Sequence, residues 1–251
     1  MLEISFIPAF KDNYIWLLTR GDRAAVVDPG DAAPVAARLA AGGLRLETIL
    51  VTHHHADHQG GIAALAAEWH PTVFAPALES ITGCTHPLSG GEGLTVLGEA
   101  CQVLALPGHT LGHIAYRFAG AVFCGDTLFG AGCGRLFEGS PAQMADSLGR
   151  LAALPSDTRV YCAHEYTAAN LHFAAAVEPE NDAIRRRQVV VAVRLRAGQP
   201  TVPLDLAEER ATNPFLRCDQ PAVVAAARRI DPAAADPVAV FAALRQWKNV
   251  F

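Results

Sequence analysis

A layered α/β domain followed by a small all-helical region is the fold class that the sequence predicts. Two features predict it. Short apolar runs alternate with helical stretches over roughly the first two-thirds of the chain. After about Thr167 the pattern is helical alone. The chain is 251 residues long and 51% hydrophobic, enough to fill a core in one large domain or in one domain with an appendage.

The elements follow in order. SFIPAF, YIWLLT and AAVVDP are β-like, and RGDR makes a turn in which Gly21 can take positive φ. DAAPVAARLAAGG is a helix that Asp31 can cap and that Gly42 and Gly43 can end. ETILV is a buried strand running into a histidine-rich loop, and GGIAALAAEWH is a second helix. TVFAP, LTVL, QVLALPG, IAYRF and AVFCGD are further strands, the last two forming a hairpin that turns at Ala119-Gly120. Ser140-Pro141-Ala142-Gln143 opens a helix with cap, proline and glutamine in the expected places. RVYCAHEY is one more strand. AANLHFAAAV, DAIRRRQVVVAVRLRAG, LAEERA, PAVVAAARRI and PVAVFAALRQWK are then all helical, with a capping-box pattern at Asp205 and Glu208 and a helix start at Asp236-Pro237.

Charge narrows the partners. A formal net charge of −5 argues against nucleic acid, which needs clustered cations. Arg185-Arg186-Arg187 reads as a solvated helix face, because consecutive residues point in different directions around a helix. No stretch reaches the roughly 20 apolar residues of a membrane span. MLEISFIPAFKDNYIW lacks the basic start and apolar run of a leader, so a cytoplasmic protein is expected. The six cysteines are scattered with no CxxC pair, which predicts reduced thiols rather than a disulfide framework.

Chemistry concentrates at strand ends. Directly after ETILV comes Thr52-His53-His54-His55-Ala56-Asp57-His58. Imidazole and carboxylate are the donors that hold divalent ions at neutral pH, and a strand-end loop can converge them. Single histidines are more often structural, but the ordered H-x-H-x-D-H string favours ligation. His109, Asp126 and His164 each lie just past a further strand, and donors at four strand ends are hard to explain by packing. His54 and His113 are left over as supporting or packing residues. Asp28 is equally readable as a turn residue or as an acceptor for a ligating imidazole.

This ordered set resembles the metallo-β-lactamase superfamily over roughly the first two-thirds of the chain. The resemblance implies a four-layer αββα sandwich with two divalent metal ions, zinc by preference, with iron and manganese also compatible with the donors. It assigns His53, His55 and His109 to the first ion, Asp57, His58 and His164 to the second, and Asp126 to both. Two such ions can lower the pKa of a shared water towards neutrality, so no separate catalytic side chain is required. The sequence offers no obvious general acid, which suits a thiolate leaving group with a pKa of about 8.5.

Further segments resemble glyoxalase II: Phe10-Lys11-Asp12-Asn13-Tyr14, GDTLFGAGCGRLFEG over 125–139, His164-Glu165-Tyr166-Thr167, Thr212-Asn213-Pro214-Phe215-Leu216-Arg217 and Arg245-Gln246-Trp247-Lys248. With them the resemblance runs nearly end to end. It implies a metal-binding hydrolase domain over 1–165, a helical glutathione-binding domain over 166–251, and hydrolysis of a small-molecule glutathione thioester. Arg135, Phe137, Tyr166, Arg245 and Lys248 match the positions that hold glutathione. Arg135 stands where lysine is common, and Phe137 stands where some members carry a tyrosine hydroxyl. Arg245 and Lys248 are three apart, hence on one helix face; apart from the resemblance, a solvated C-terminal turn explains them equally well. Trp247 and Phe251 read as packing. A glutathione persulfide dioxygenase and a metallo-lactonase are the competing activities, and the Arg-x-x-Lys tail argues against both. No nucleic-acid or membrane partner is expected, and the chain is taken to act as a monomer.

Overall fold

The computed structural model describes residues 2–251. The chain divides into two compact units, Met1–Ala105 with Leu111–Gly125, and Leu106–Thr110 with Asp126–Phe251.

In the first unit, β1 (Glu3–Ala9), β2 (Asn13–Arg20), β3 (Arg23–Val27), β4 (Arg45–Leu50), β5 (Thr72–Pro76) and β6 (His86–Leu88) pair in that order in one sheet. The first three strands are antiparallel neighbours, and β3 to β6 run parallel. Parallel strands need a crossover. Helix α1 (Ala32–Gly42) supplies it from β3 to β4. Asp31 caps its start by accepting from the Ala33 N–H at 3.0 Å, and Gly43 ends it at φ 58°. Helices α2 (Ala56–Gln59) and α3 (Ile62–Trp69) lie between β4 and β5 in sequence. The one-turn α2 lies inside the donor string, where a plain loop is expected from sequence. A second, antiparallel layer runs β7 (Gly93–Val96), β8 (Glu99–Ala105), β9 (Ile114–Phe118), β10 (Ala121–Gly125). The β9–β10 hairpin turns at Gly120 with φ 70°, as expected.

The two layers of this unit face one another. Tyr116 of β9 is fully buried, and its hydroxyl donates to the carbonyls of Val51 (2.8 Å) and Phe74 (3.1 Å) beyond β4 and in β5. Trp16 of β2 meets Phe123 of β10 edge-on at 6.4 Å. Ile15, Leu17, Val26, Leu39, Ile49 and Leu65 fill the core that the strand alternation and the α1 and α3 faces create.

In the second unit, β11 (Leu128–Phe129) and β12 (Gly132–Cys133) make a two-residue-turn hairpin. Then come α4 (Pro141–Ala152), β13 (Arg159–Cys162), α5 (Thr167–Val177), α6 (Asp182–Arg196), β14 (Leu204–Asp205), α7 (Leu206–Thr212), a 3₁₀ turn over Pro214–Leu216, α8 (Pro221–Arg228) and α9 (Pro237–Val250). Helix α4 starts with the full Ser140–Gln143 capping box, and Asp236 caps α9 through the Ala239 N–H. Phe173, Phe215, Phe241 and Trp247 form an aromatic cluster that holds α5, α9 and the 3₁₀ turn together. The solvated-face expectation for the arginine cluster holds for Arg185 but fails for Arg187. Arg187 is 3% exposed and ion-paired with Glu209, because its position on α6 faces α7 rather than water.

All six cysteines are free thiols, five of them buried. Burial pushes Cys101 and Cys218 up to about 12 and raises Cys133 as well. A thiol reagent at pH 8 is therefore expected to label the half-buried Cys84 first and the other five only on unfolding. Rapid native labelling of several thiols would contradict this packing.

Candidate metal centre and substrate pocket

The first unit gathers four of the predicted donors through one parallel strand pair. Val27 of β3 and Leu50 of β4 are register partners, so the loops that follow begin side by side. Asp28 takes φ 54°, a left-handed conformation that aspartate tolerates better than most residues. It accepts from the Thr52 N–H at 2.7 Å and from the Thr52 hydroxyl at 2.8 Å. Its second oxygen also lies 3.1 Å from His58 Nδ1. Thr52 Oγ1 in turn lies 3.0 Å from His53 Nδ1. One buried carboxylate thereby lies against one imidazole directly and reaches a second through a hydroxyl. Because the Thr52 hydroxyl gives its proton to Asp28, its oxygen can accept from His53 Nδ1, the tautomer that leaves a lone pair on His53 Nε2. Of the two readings of Asp28 that the sequence left open, the structure supports the acceptor.

The donor atoms of this loop lie close together. His53 Nε2 and His55 Nδ1 are 3.0 Å apart, and His58 Nε2 is 3.5 Å from an Asp57 oxygen. Asn13 donates to that Asp57 oxygen at 2.9 Å. The two leftover histidines also have neighbours: His113 stacks on His53 at 4.9 Å, and His54 Nδ1 lies 3.1 Å from a Glu79 carboxylate oxygen.

The second unit brings together the other three. Asp126 offers one oxygen to His109 Nε2 at 3.5 Å and the other to His164 Nε2 at 3.4 Å. His109 Nδ1 is held at 2.8 Å by the carbonyl of Arg135. Gly134 permits this approach, since a Cβ there would sit 2.0 Å from the Asp126 carbonyl oxygen and 3.1 Å from His109 Nδ1. His53, His58, His109, Asp126 and His164 are all at most 7% exposed.

These separations fit metal ligation. Bonds of about 2.0–2.1 Å at tetrahedral angles put neighbouring ligand atoms about 3.3 Å apart. The donor pairs within each unit span 3.0 to 3.5 Å. Asp126 turns a different oxygen to each of its two imidazoles.

The second unit also contains a cavity of about 400 Å³ with Asp126 and His109 in its wall. All five residues expected to hold substrate line it: Arg135, Phe137, Tyr166, Arg245 and Lys248. Tyr166 stacks on His164 at 4.8 Å with the rings 3° from parallel, and Phe137 meets His109 edge-on at 5.3 Å. Arg245 and Lys248 do share a face of α9, but that turn is not simply solvated. Arg245 is 7% exposed, lies 5.3 Å over the Phe215 ring and donates to the Cys133 carbonyl at 3.0 Å. Lys248 Nζ lies 5.2 Å over Phe173. Burial, and then the neighbouring Arg245 charge, hold the Lys248 pKa below the ordinary lysine value. Phe129, Cys133 and Asn170 also line the cavity; the first two lie in the 125–139 string but are not singled out there, because their direction depends on a short hairpin and on helix packing.

Residues 10–164 match the family described as Metallo-beta-lactamase superfamily, and residues 165–251 match Hydroxyacylglutathione hydrolase C-terminus. A hydroxyacylglutathione hydrolase from Dechloromonas aromatica (strain RCB) is 64% identical over 265 residues, with 100% of this chain and 100% of that protein covered. The chain belongs to the hydroxyacylglutathione hydrolase family. Membership makes it a hydrolase with a metal-binding, metallo-β-lactamase α/β fold and a helical C-terminal domain. Among solved structures, ETHE1 from Myxococcus xanthus is similar over 100% of this chain and 99% of its own, with a TM-score of 0.67 and 25% identity. The BLEG-1 B3 metallo-beta-lactamase covers 86% of this chain and 99% of its own, with a TM-score of 0.66 and 21% identity, a likeness of fold. No helix among the described residues is long and apolar enough to cross a membrane.

Proposed function

We propose that this hydroxyacylglutathione hydrolase family member cleaves S-2-hydroxyacylglutathione thioesters, S-D-lactoylglutathione among them, to glutathione and the hydroxy acid. In this reading His53, His55 and His109 hold one divalent ion and Asp57, His58 and His164 the other, with Asp126 shared. Zinc is our choice of metal, and iron or manganese would accept the same donors. When bound, such a pair supplies an activated water at neutral pH and Lewis-acid stabilisation of a developing oxyanion. The chain's own residues do the rest. In this reading the Thr52 hydroxyl, backed by Asp28, and the Arg135 carbonyl hold ligand rings in one tautomer. The cavity residues hold the glutathione moiety and orient its thioester.

One observation carries the substrate assignment. A buried arginine and a half-buried lysine open onto the same cavity that Asp126 and His109 line. Arg245 Nε is buried with no hydrogen-bond partner among the described residues. A guanidinium left incompletely satisfied is costly unless an anion completes it. Glutathione carries two carboxylates, and in this reading Arg245 and Lys248 take its glycine end while Arg135 and Tyr166 line the path to the thioester. Phe137 is 60% exposed and offers ring contact without a hydroxyl. The domain division is proposed at 165/166. The protein is proposed to act as a cytoplasmic monomer without nucleic-acid or membrane partners.

Hydrolysis of S-D-lactoylglutathione, with metal analysis of the same sample, tests the activity. Arg245→Ala and Lys248→Ala are each expected to raise KM about tenfold or more and to leave kcat nearly intact, since charge-assisted contacts contribute about 1.5–3 kcal/mol. An acyl thioester lacking the peptide should be a poor substrate and indifferent to both changes. Parental KM in both folded, metal-replete variants would remove the glutathione assignment.

A further inference from the structure

The wall of this cavity rests on a buried polar network centred on Glu209, which does not itself line the cavity. The β11–β12 hairpin turns on Gly130 and Ala131, with Phe129 paired to Gly132 and Leu128 to Cys133. Ala131 takes φ 53° at the second turn position, where glycine or asparagine is favoured. Left to itself this turn is a poor one, and side chains from two helices clamp it.

From α5, Asn170 donates to the Gly130 carbonyl at 3.0 Å. Just past α7, Asn213 donates to the carbonyls of Phe129 (3.2 Å) and Gly132 (2.9 Å). From α7, Glu209 accepts the Ala131 N–H at 2.8 Å and the Asn213 amide at 3.0 Å. The approach is close enough that a Cβ on Gly130 would sit 2.3 Å from Thr167 Oγ1. Glu209 is completely buried and is neutralised by Arg187 of α6, which also donates to Thr212 Oγ1 at 2.6 Å. Burying a charge pair costs several kcal/mol per ion in desolvation, and well-packed apolar residues of like volume often fill such space at no loss of stability. Fold stability alone therefore gives no reason for the pair. Position does: the far strand of the hairpin ends at Cys133, whose carbonyl accepts from Arg245 Nη1 at 3.0 Å.

We propose that Glu209, held by Arg187 and relayed through Asn213 and the 128–133 hairpin, is the positioning residue for Arg245 in substrate binding. The inference rests on the reading of the cavity as the glutathione site. Glu209 touches neither substrate nor metal. It sets the turn, the turn sets the Cys133 carbonyl, and that carbonyl sets the guanidinium.

The test separates the acceptor from the charge. On an Arg187→Met background, Glu209→Gln keeps an oxygen for the Ala131 N–H, whereas Glu209→Leu removes it. With S-D-lactoylglutathione, the Gln double variant should keep a KM within twofold of the parent. The Leu double variant should raise KM roughly five- to tenfold, with kcat within twofold. Repeating both on an Arg245→Ala background should abolish the difference, because the relay then has nothing to position. Equal KM for the Gln and Leu variants overturns the proposal. So does a Leu effect that persists undiminished without Arg245, the mark of a merely structural role. If the Leu double variant does not fold, Asn213→Ala replaces it in the same cycle with the same expectation. Should Arg245→Ala by itself leave KM unchanged, the glutathione reading fails and takes this proposal with it. A raised KM in Arg245→Ala without coupling to Glu209 sinks the relay alone.

Discussion

Asp126→Ala is expected to lose metal from both positions and to lower kcat about a thousandfold or more. A catalytic metal supplies several kcal/mol of charge stabilisation, and each 1.36 kcal/mol is a factor of ten. The two oxygens of Asp126 face different imidazoles, at 3.5 and 3.4 Å, so alanine removes a ligand from each side at once. Elemental analysis of wild-type protein should find two ions per chain. The variant should hold fewer than one tightly. Its fold should survive, since the side chain borders a cavity rather than the apolar core. A single ion in the parent, insensitive to this change, would defeat the dinuclear reading.

Asp28→Asn is expected to weaken metal binding about 10–100-fold while the fold persists, the usual cost of losing a partner that orients a ligand. Asparagine tolerates the left-handed φ of 54° and keeps a carbonyl oxygen for the Thr52 N–H. Its amide group would instead meet His58 Nδ1, donor against donor, and favour the tautomer with its proton on Nε2. That is the nitrogen our reading gives to the metal. Competition with a chelator measures the change, and unaltered affinity with an unaltered melting temperature would refute the orienting role. Asp28→Ala should be worse in stability too. It leaves the buried Thr52 N–H without its acceptor, about 1–3 kcal/mol, and puts alanine at positive φ.

Local sequence was enough for most elements. Asp31, the Ser140–Gln143 box, Asp236 and the Gly120 turn act through neighbours within a few residues, so pattern and structure agree there. The donor string over 53–58 was legible for a related reason: several metal donors packed into one short loop make a signature in themselves. Arg245 and Lys248 were legible as a pair but not in strength. Whether they sit in water or in a cavity wall depends on Phe173, Phe215 and Cys133, which come from elsewhere in the chain.

The rest belonged to tertiary structure. Asp28 could be read as a turn residue until β3 and β4 paired in parallel and set its carboxylate against Thr52 and His58. Arg187 looked like one of three solvated arginines, yet it alone points at Glu209, 22 residues further on. Glu209 lies in the helical stretch LAEERA and Asn213 in the TNPFLR segment, and nothing in either shows that both close the β11–β12 turn about 80 residues earlier. A sequence determines what its near neighbours can satisfy: caps, turns, periodicity and the supply of metal donors. It is silent on which distant backbone groups will lack partners, because that is settled only when the chain packs and each buried donor or acceptor must find whatever lies beside it.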